Sequence, residues 1–222
     1  MTLIAEDLLF LGMNKTEDIN FTITKRLKIG LAGSLLSDLI LLNKIHIENR
    51  SIHLDDKNST GDELLDEVLE KISSVEVESV LHWVEKFTMD LDQLEQRIFS
   101  RLYTKELVDE KEEKQFFILT KDQYYEKDLK KDEFLIQTIR RIILEESQIK
   151  NERNKHLISL IRASKLLKNV FSEEEIKNIQ NQLKSLTGDN IIGYAVFVAI
   201  KRLIDGVIDP KDINLETISI ED

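Results

Sequence analysis

Apolar residues recur at three- and four-residue intervals through almost every segment of this chain. That spacing predicts helices over about 2–11, 24–43, 61–73, 75–88, 91–106, 131–147, 152–171, 173–186 and 190–205. A single proline, Pro210, and seven glycines interrupt the pattern. Thr60 with Glu63, and Ser172 with Glu175, have the spacing of capping boxes, and Gly188 closes the 173–186 helix. Ile191 to Ile200 is apolar all round, which assigns its helix to the centre of a bundle. The run falls short of the roughly 20 residues a membrane span needs, so any membrane contact is expected to be peripheral.

Period-two alternation appears twice. Ile45-His46-Ile47-Glu48 and Ser51-Ile52-His53-Leu54 flank Asn49-Arg50, predicting a two-residue hairpin that pairs Ile47 with Ile52 and Ile45 with Leu54 on an inner face. His46 and His53 then oppose each other outside. Leu107-Val108 and Phe116-Phe117-Ile118-Leu119 flank the charged stretch Asp109 to Lys114 and predict a second hairpin, with Tyr124-Tyr125 in a loop beyond it. No repeat, linker or composition shift divides the chain. The expected fold is all-α, a single-domain helical bundle over 1–210 with buried central helices and small β-hairpins, followed by an acidic tail, 211–222.

Composition narrows the chemistry. A formal net charge of −11 over 222 residues argues against whole-chain attraction to nucleic acid or anionic lipid, so such contacts need a local patch. The absence of cysteine excludes disulfides, thiol catalysis and zinc-thiolate sites. Met1 to Leu11 carries Glu6 and Asp7 without a basic leader and reads as a helix rather than a secretory signal. Carboxylates are numerous, but no two stand out in an apolar setting that would tune one as a general acid, and no enzyme or cofactor is expected. His46, His53 and Glu48 have the donor types of a zinc site. The polar face of a hairpin accounts for them equally, and no metal is expected, because zinc sites want a third ligand and a fixed second shell. His82 and His156 read as structural. Gly30-Leu31-Ala32-Gly33-Ser34 lacks the strand and the Lys-Ser/Thr ending of a phosphate loop; its small residues share a face on which another helix can pack closely.

Basic residues gather at Lys25-Arg26-x-Lys28, at Arg97, Arg101 and Lys105, at Lys127/Lys130/Lys131, at Arg140-Arg141, and at Arg162/Lys165/Lys168. Arg97, Arg101 and Lys105 recur every four residues, so one helix face presents them together, to phosphates or as a salt-bridged surface. Residues 91 to 119 have the order of a winged helix, but Asp109, Glu110, Glu112 and Glu113 at the hairpin tip repel phosphates, and nucleic acid is not expected as a partner.

The string Thr60-Gly61-Asp62-Glu63-Leu64-Leu65-Asp66-Glu67 resembles the most recognisable stretch of the Golgi phosphoprotein 3-like family. The resemblance is collinear over most of the chain. It takes in Leu3 to Gly12, Gly30-Leu31-x-Gly33 with Leu35-Leu36 and Asp38-Leu39, Val80-x-x-Trp83, Leu157-Ile158-x-Leu160-Ile161, and Tyr194 to Ile200. It implies a helical domain bearing hairpins, and a peripheral adaptor that binds phosphatidylinositol 4-phosphate on Golgi membranes, self-associates, and links membrane-protein tails to coat proteins in vesicle trafficking. The family's headgroup pocket positions correspond here to Ile23, Ala32, Asp92 and Glu95, so its Trp and three Arg are replaced, two of the cations by anions.

Lys25, Arg26, Lys28, Arg97 and Arg101 remain as lipid-headgroup candidates, with Arg97 foremost. The family's basic N-terminal extension has no counterpart ahead of the opening helix, as in a minimal or divergent member. The family's hairpin contacts assign Phe116, Phe117, Ile118 and Leu119 to a homo-oligomer interface or a membrane-inserting edge. The expected function is a non-enzymatic peripheral membrane adaptor with a substituted headgroup pocket, cytoplasmic and on the Golgi if the host has one. The alternative is a soluble self-associating scaffold that has lost lipid binding.

Overall fold

The computed structural model describes residues 2–12, 25–111, 123–126, 129–144 and 151–206. The helix on which the others converge is α2 (Lys25–Leu41), whose apolar residues are not confined to one stripe: Leu27, Ile29, Leu31, Leu35, Leu36 and Leu39 are all buried. A helix apolar on every side must be surrounded. Around α2 stand α1 (Ile4–Gly12), α3 (Glu63–Ser73), α4 (Val80–Asp90), α5 (Leu94–Thr104), α7 (Glu152–Ala163) and α10 (Ile191–Leu203). The all-round apolar α10 packs on α2, α4 and α7, a central place as its sequence predicts. Outside these lie α6 (Leu129–Leu144), α8 (Glu173–Asn178) and α9 (Gln180–Thr187). The fold is all-α with minor β elements.

Close approach to α2 depends on its glycines. A Cβ on Gly33 would stand 2.3 Å from Val196 Cγ2 of α10 and 3.2 Å from Leu160 Cδ2 of α7, and one on Gly30 would meet Ser164 Oγ at 2.2 Å and Leu8 Cδ2 at 3.0 Å. A Cβ on Gly193 of α10 would stand 2.7 Å from Ser159 Cβ of α7. Gly33→Ala is therefore expected to lower the thermal midpoint. Overpacking costs about 1–3 kcal/mol, more than the up to about 1 kcal/mol gained in helix propensity. A midpoint at or above wild type would contradict this packing.

The first hairpin has the predicted register: β1 (Ile45–Glu48) pairs with β2 (Ser51–Leu54), placing Ile45 opposite Leu54, His46 opposite His53 and Ile47 opposite Ile52. Ile45 and Ile52 are buried and Ile47 is half-buried, but Leu54 is 40% exposed, because the inner face runs off the bundle at the strand end. A third strand, β3 (Glu78–Ser79), pairs with β2. It also shortens the helix expected over 75–88: Ser79 accepts the His82 N–H as N-cap, so α4 begins at Val80. Trp83 is buried on α4 against Phe87, as a core residue.

The second hairpin differs from expectation. Strand β4 (Val108–Lys111) takes in residues assigned to a charged turn, and its partner is β5 (Gln123–Glu126), assigned to a loop. Alternation identified 116–119 as the partner, and those residues lie outside the described ones. The helix expected over 152–171 stops at Ala163, where Lys165 adopts φ 59° before a 3-10 turn over Leu167–Asn169. The 173–186 helix breaks at Ile179 into α8 and α9; its Ser172–Glu175 capping box and its end at Gly188 are as predicted.

Candidate functional site

The string that carries the family resemblance folds into a connection between helices. The Thr60–Glu63 capping box does not form. Asp62 is the N-cap of α3 instead, its Oδ1 accepting the Leu64 and Leu65 N–H groups at 3.1 and 3.3 Å. A carboxylate is the stronger cap for a helix N-terminus, and it displaces Thr60 to another task. The Thr60 hydroxyl and N–H and the Ser59 hydroxyl all donate to Asp66 at 2.6 Å. Those donors, Ser59 first, hold the Asp66 carboxyl below its ordinary range. Gly61, at φ 79°, supplies the turn between them.

Asp62 also reaches outward. Its Oδ2 lies 2.6 Å from Arg101 on α5, and Arg101 Nε donates to Glu6 Oε1 at 2.8 Å. Glu6, on α1, is completely buried, and Lys105 Nζ meets its other oxygen at 2.5 Å. Arg97 donates to Glu67 of α3 at 2.7 Å. The basic face of α5 is thus turned onto α3 and α1, and Arg97 and Arg101 are part-buried and paired rather than open. Sequence reasoning missed Glu6, Asp62 and Glu67 as their partners. The available signal was the acidic series Asp62, Asp66, Glu70 with Glu63 and Glu67 on α3, whose helical spacing matches that of the α5 cations.

The other predicted positions are spread over this side of the bundle. Ala32 is fully buried in α2, Asp92 is exposed just ahead of α5, and Glu95 is half-buried in its first turn; Ile23 lies outside the described residues. The amino terminus of α5, which would attract a phosphate, is thereby faced by the chain's own carboxylates. A shallow open hollow beside it is lined by Ser59, Gly61, Glu63, Asp66, Glu67 and Glu70, a surface that repels anions.

At the opposite end of α2 the balance reverses. Lys25 is exposed and Lys28 half-buried, and neither has an ionic partner among the described residues. Arg26 meets Asp205 loosely at 3.7 Å, beside Lys201 and Arg202 at the end of α10. Arg140 is engaged by Glu175 and lies over the Phe171 ring, whereas Arg141 is exposed next to exposed Phe134 and Leu144. The Phe116 to Leu119 segment and Lys127 lie outside the described residues, so the structure adds nothing to them.

The described residues thus form a helical bundle cross-linked by internal ion pairs and bearing small antiparallel sheets. Comparison with known families matches residues 4–203 to Golgi phosphoprotein 3 (GPP34), and the chain belongs to that family. Its members are non-enzymatic adaptors, and this chain is a scaffold of that kind. Among the described residues no helix is long and apolar enough to cross a membrane.

Proposed function

We propose that this protein is a peripheral membrane adaptor of the Golgi phosphoprotein 3 type that contacts anionic lipid through the start of α2, with Lys25 and Lys28 as the principal contacts and Arg26 beside them. The division of cations carries this reading. Arg97, Arg101 and Lys105 are neutralised within the chain, whereas Lys25 and Lys28 have no ionic partner among the described residues. Such contact is set by charge, with little preference for the phosphatidylinositol 4-phosphate headgroup, because Ala32, Asp92 and Glu95 replace the cations of the family pocket.

The exposed Phe134 and Leu144 beside Arg141 favour, as the second reading, a scaffold that works through protein contacts or self-association without lipid. Flotation on vesicles containing phosphatidylserine separates the two. Wild type is expected to float and to be released by salt, since exposed charges are screened within about 10 Å at 0.1 M ionic strength. Lys25→Glu with Lys28→Glu is expected to stay at the bottom while keeping its helical circular-dichroism signal. Unchanged flotation of that variant would overturn the site, and wild type that fails to float would favour the lipid-free scaffold.

A further inference from the structure

We propose that the outer face of the β1–β2 hairpin is a binding site for a divalent transition ion of the zinc type, held by His46, Glu48 and His53. Sequence reasoning set a metal aside for want of a third ligand and a fixed second shell, and the folded hairpin has both. Side chains two apart on a strand share a face, so Glu48 joins His46, and the register brings His53 directly opposite His46. One donor atom from each of the three falls within 4.8 Å of the others. The two imidazoles are stacked, with ring centroids 5.2 Å apart, and His53 Nε2 lies 4.0 Å from Glu48 Oε2.

The second shell is Asp55. Its Oδ1 lies 2.7 Å from His46 Nδ1. A carboxylate accepts, so Nδ1 is the donor that carries the proton, and Nε2 of the neutral ring is the nitrogen left to ligate. A carboxylate behind a ligating imidazole is the arrangement that orients metal-binding histidines and raises their basicity. Asp55 is itself fixed, its N–H donating to the Lys44 carbonyl at 2.9 Å. The frame is equally defined: Asn49 and Arg50, at φ 49° and 64°, form the tight turn that sets the register, and β3 clamps β2 from the other side.

Donors around a tetrahedral zinc ion stand about 3.3 Å apart, given bonds of roughly 2.0–2.1 Å. The 4.0 Å between His53 Nε2 and Glu48 Oε2 closes toward that value by rotation of the exposed Glu48 side chain, with His46 held by Asp55. Two imidazoles and one carboxylate suit zinc, cobalt, nickel or copper and discriminate against magnesium and calcium, which prefer all-oxygen sets. Three protein ligands leave one position open to solvent, for water or for a donor from another molecule.

Titration of the tag-free protein tests this, with Zn²⁺ followed by calorimetry and Co²⁺ by its visible absorption. One saturable equivalent per chain is expected, with an intense tetrahedral Co²⁺ band. His46→Ala and His53→Ala should each abolish that band, Asp55→Asn should weaken Zn²⁺ binding about 10- to 100-fold, and His82→Ala should change nothing. Zn²⁺ should raise the thermal midpoint of wild type but not of the His46→Ala, His53→Ala double variant, which the hairpin's exposed position lets fold. Absence of saturable Zn²⁺ binding, or binding that survives in the folded double variant, would overturn the proposal.

Discussion

Arg101→Glu is expected to destabilise the protein by about 3–5 kcal/mol, the usual result of removing one member of a buried ion pair. Glu6 has no exposed surface, and among the described residues its two oxygens are compensated by Arg101 and Lys105 alone. Reversal at Arg101 places a third carboxylate against Glu6 and Asp62, at a point where α1, α3 and α5 meet. Among the described residues, Glu6 is then left with Lys105 alone, and α3 stays ion-paired to α5 only through Arg97 and Glu67. Urea unfolding should show the midpoint falling sharply, with Arg97→Glu costing less because Glu67 and Arg97 are both about one-third exposed. A midpoint close to wild type would mean that the pairs are no more than a surface arrangement. The same variant is unsuited to a lipid assay, since loss of flotation would report unfolding.

The second large effect is one of pH. Asp38 is fully buried on α2, and both its oxygens accept the Ile4 N–H at 3.1 Å, so it caps α1 from a neighbouring helix. Burial pushes its carboxyl from 3.8 up to about 7, against the hydrogen bonds from α1 and the attraction of Arg153, which pull it down. The folded state therefore binds this proton more tightly than the unfolded state. Its contribution is fully present below about pH 4 and is lost progressively as pH rises to about 7. The size of the shift corresponds to roughly 4 kcal/mol across that window. Asp38→Asn keeps an acceptor for Ile4 and has no proton to lose. Relative to wild type it should gain stability between pH 5 and pH 8 in urea unfolding. Parallel curves for the two proteins would show that Asp38 ionises freely in the fold.

The helices and the first hairpin were legible because their signals are local. Three-to-four spacing around Val68 or Ile192, and an Asn-Arg turn between alternating strands, need no knowledge of the rest of the chain. Boundaries went wrong where a competing partner, distant or local, intervened. Ser79 starts α4 late because Glu78–Ser79 pairs with β2, and Thr60 surrenders the cap of α3 because Asp62 is the better acceptor. The pairing of β4 with β5 was hidden for the same reason, since alternation pointed to the more apolar 116–119 rather than to Gln123–Glu126. The candidate site was half legible. Cation spacing on α5 was visible, but whether those charges face a lipid or an acid is decided by Glu6 and Asp62, far away in sequence. The metal-type face of the hairpin was visible as a histidine pair. Only the fold brings Asp55 behind His46.

The measurement that bears most directly on this account is flotation of wild type on two sets of vesicles with equal negative charge, one carrying phosphatidylinositol 4-phosphate and the other phosphatidylserine. Charge-assisted hydrogen bonds contribute about 1.5–3 kcal/mol each, so a pocket that kept its cations would favour the phosphoinositide by orders of magnitude. With Ala32, Asp92 and Glu95 in place, and Arg97 and Arg101 committed to Glu67, Glu6 and Asp62, the two vesicle sets should bind the same fraction of protein and release it at the same salt. Strong, salt-resistant preference for phosphatidylinositol 4-phosphate would contradict the account.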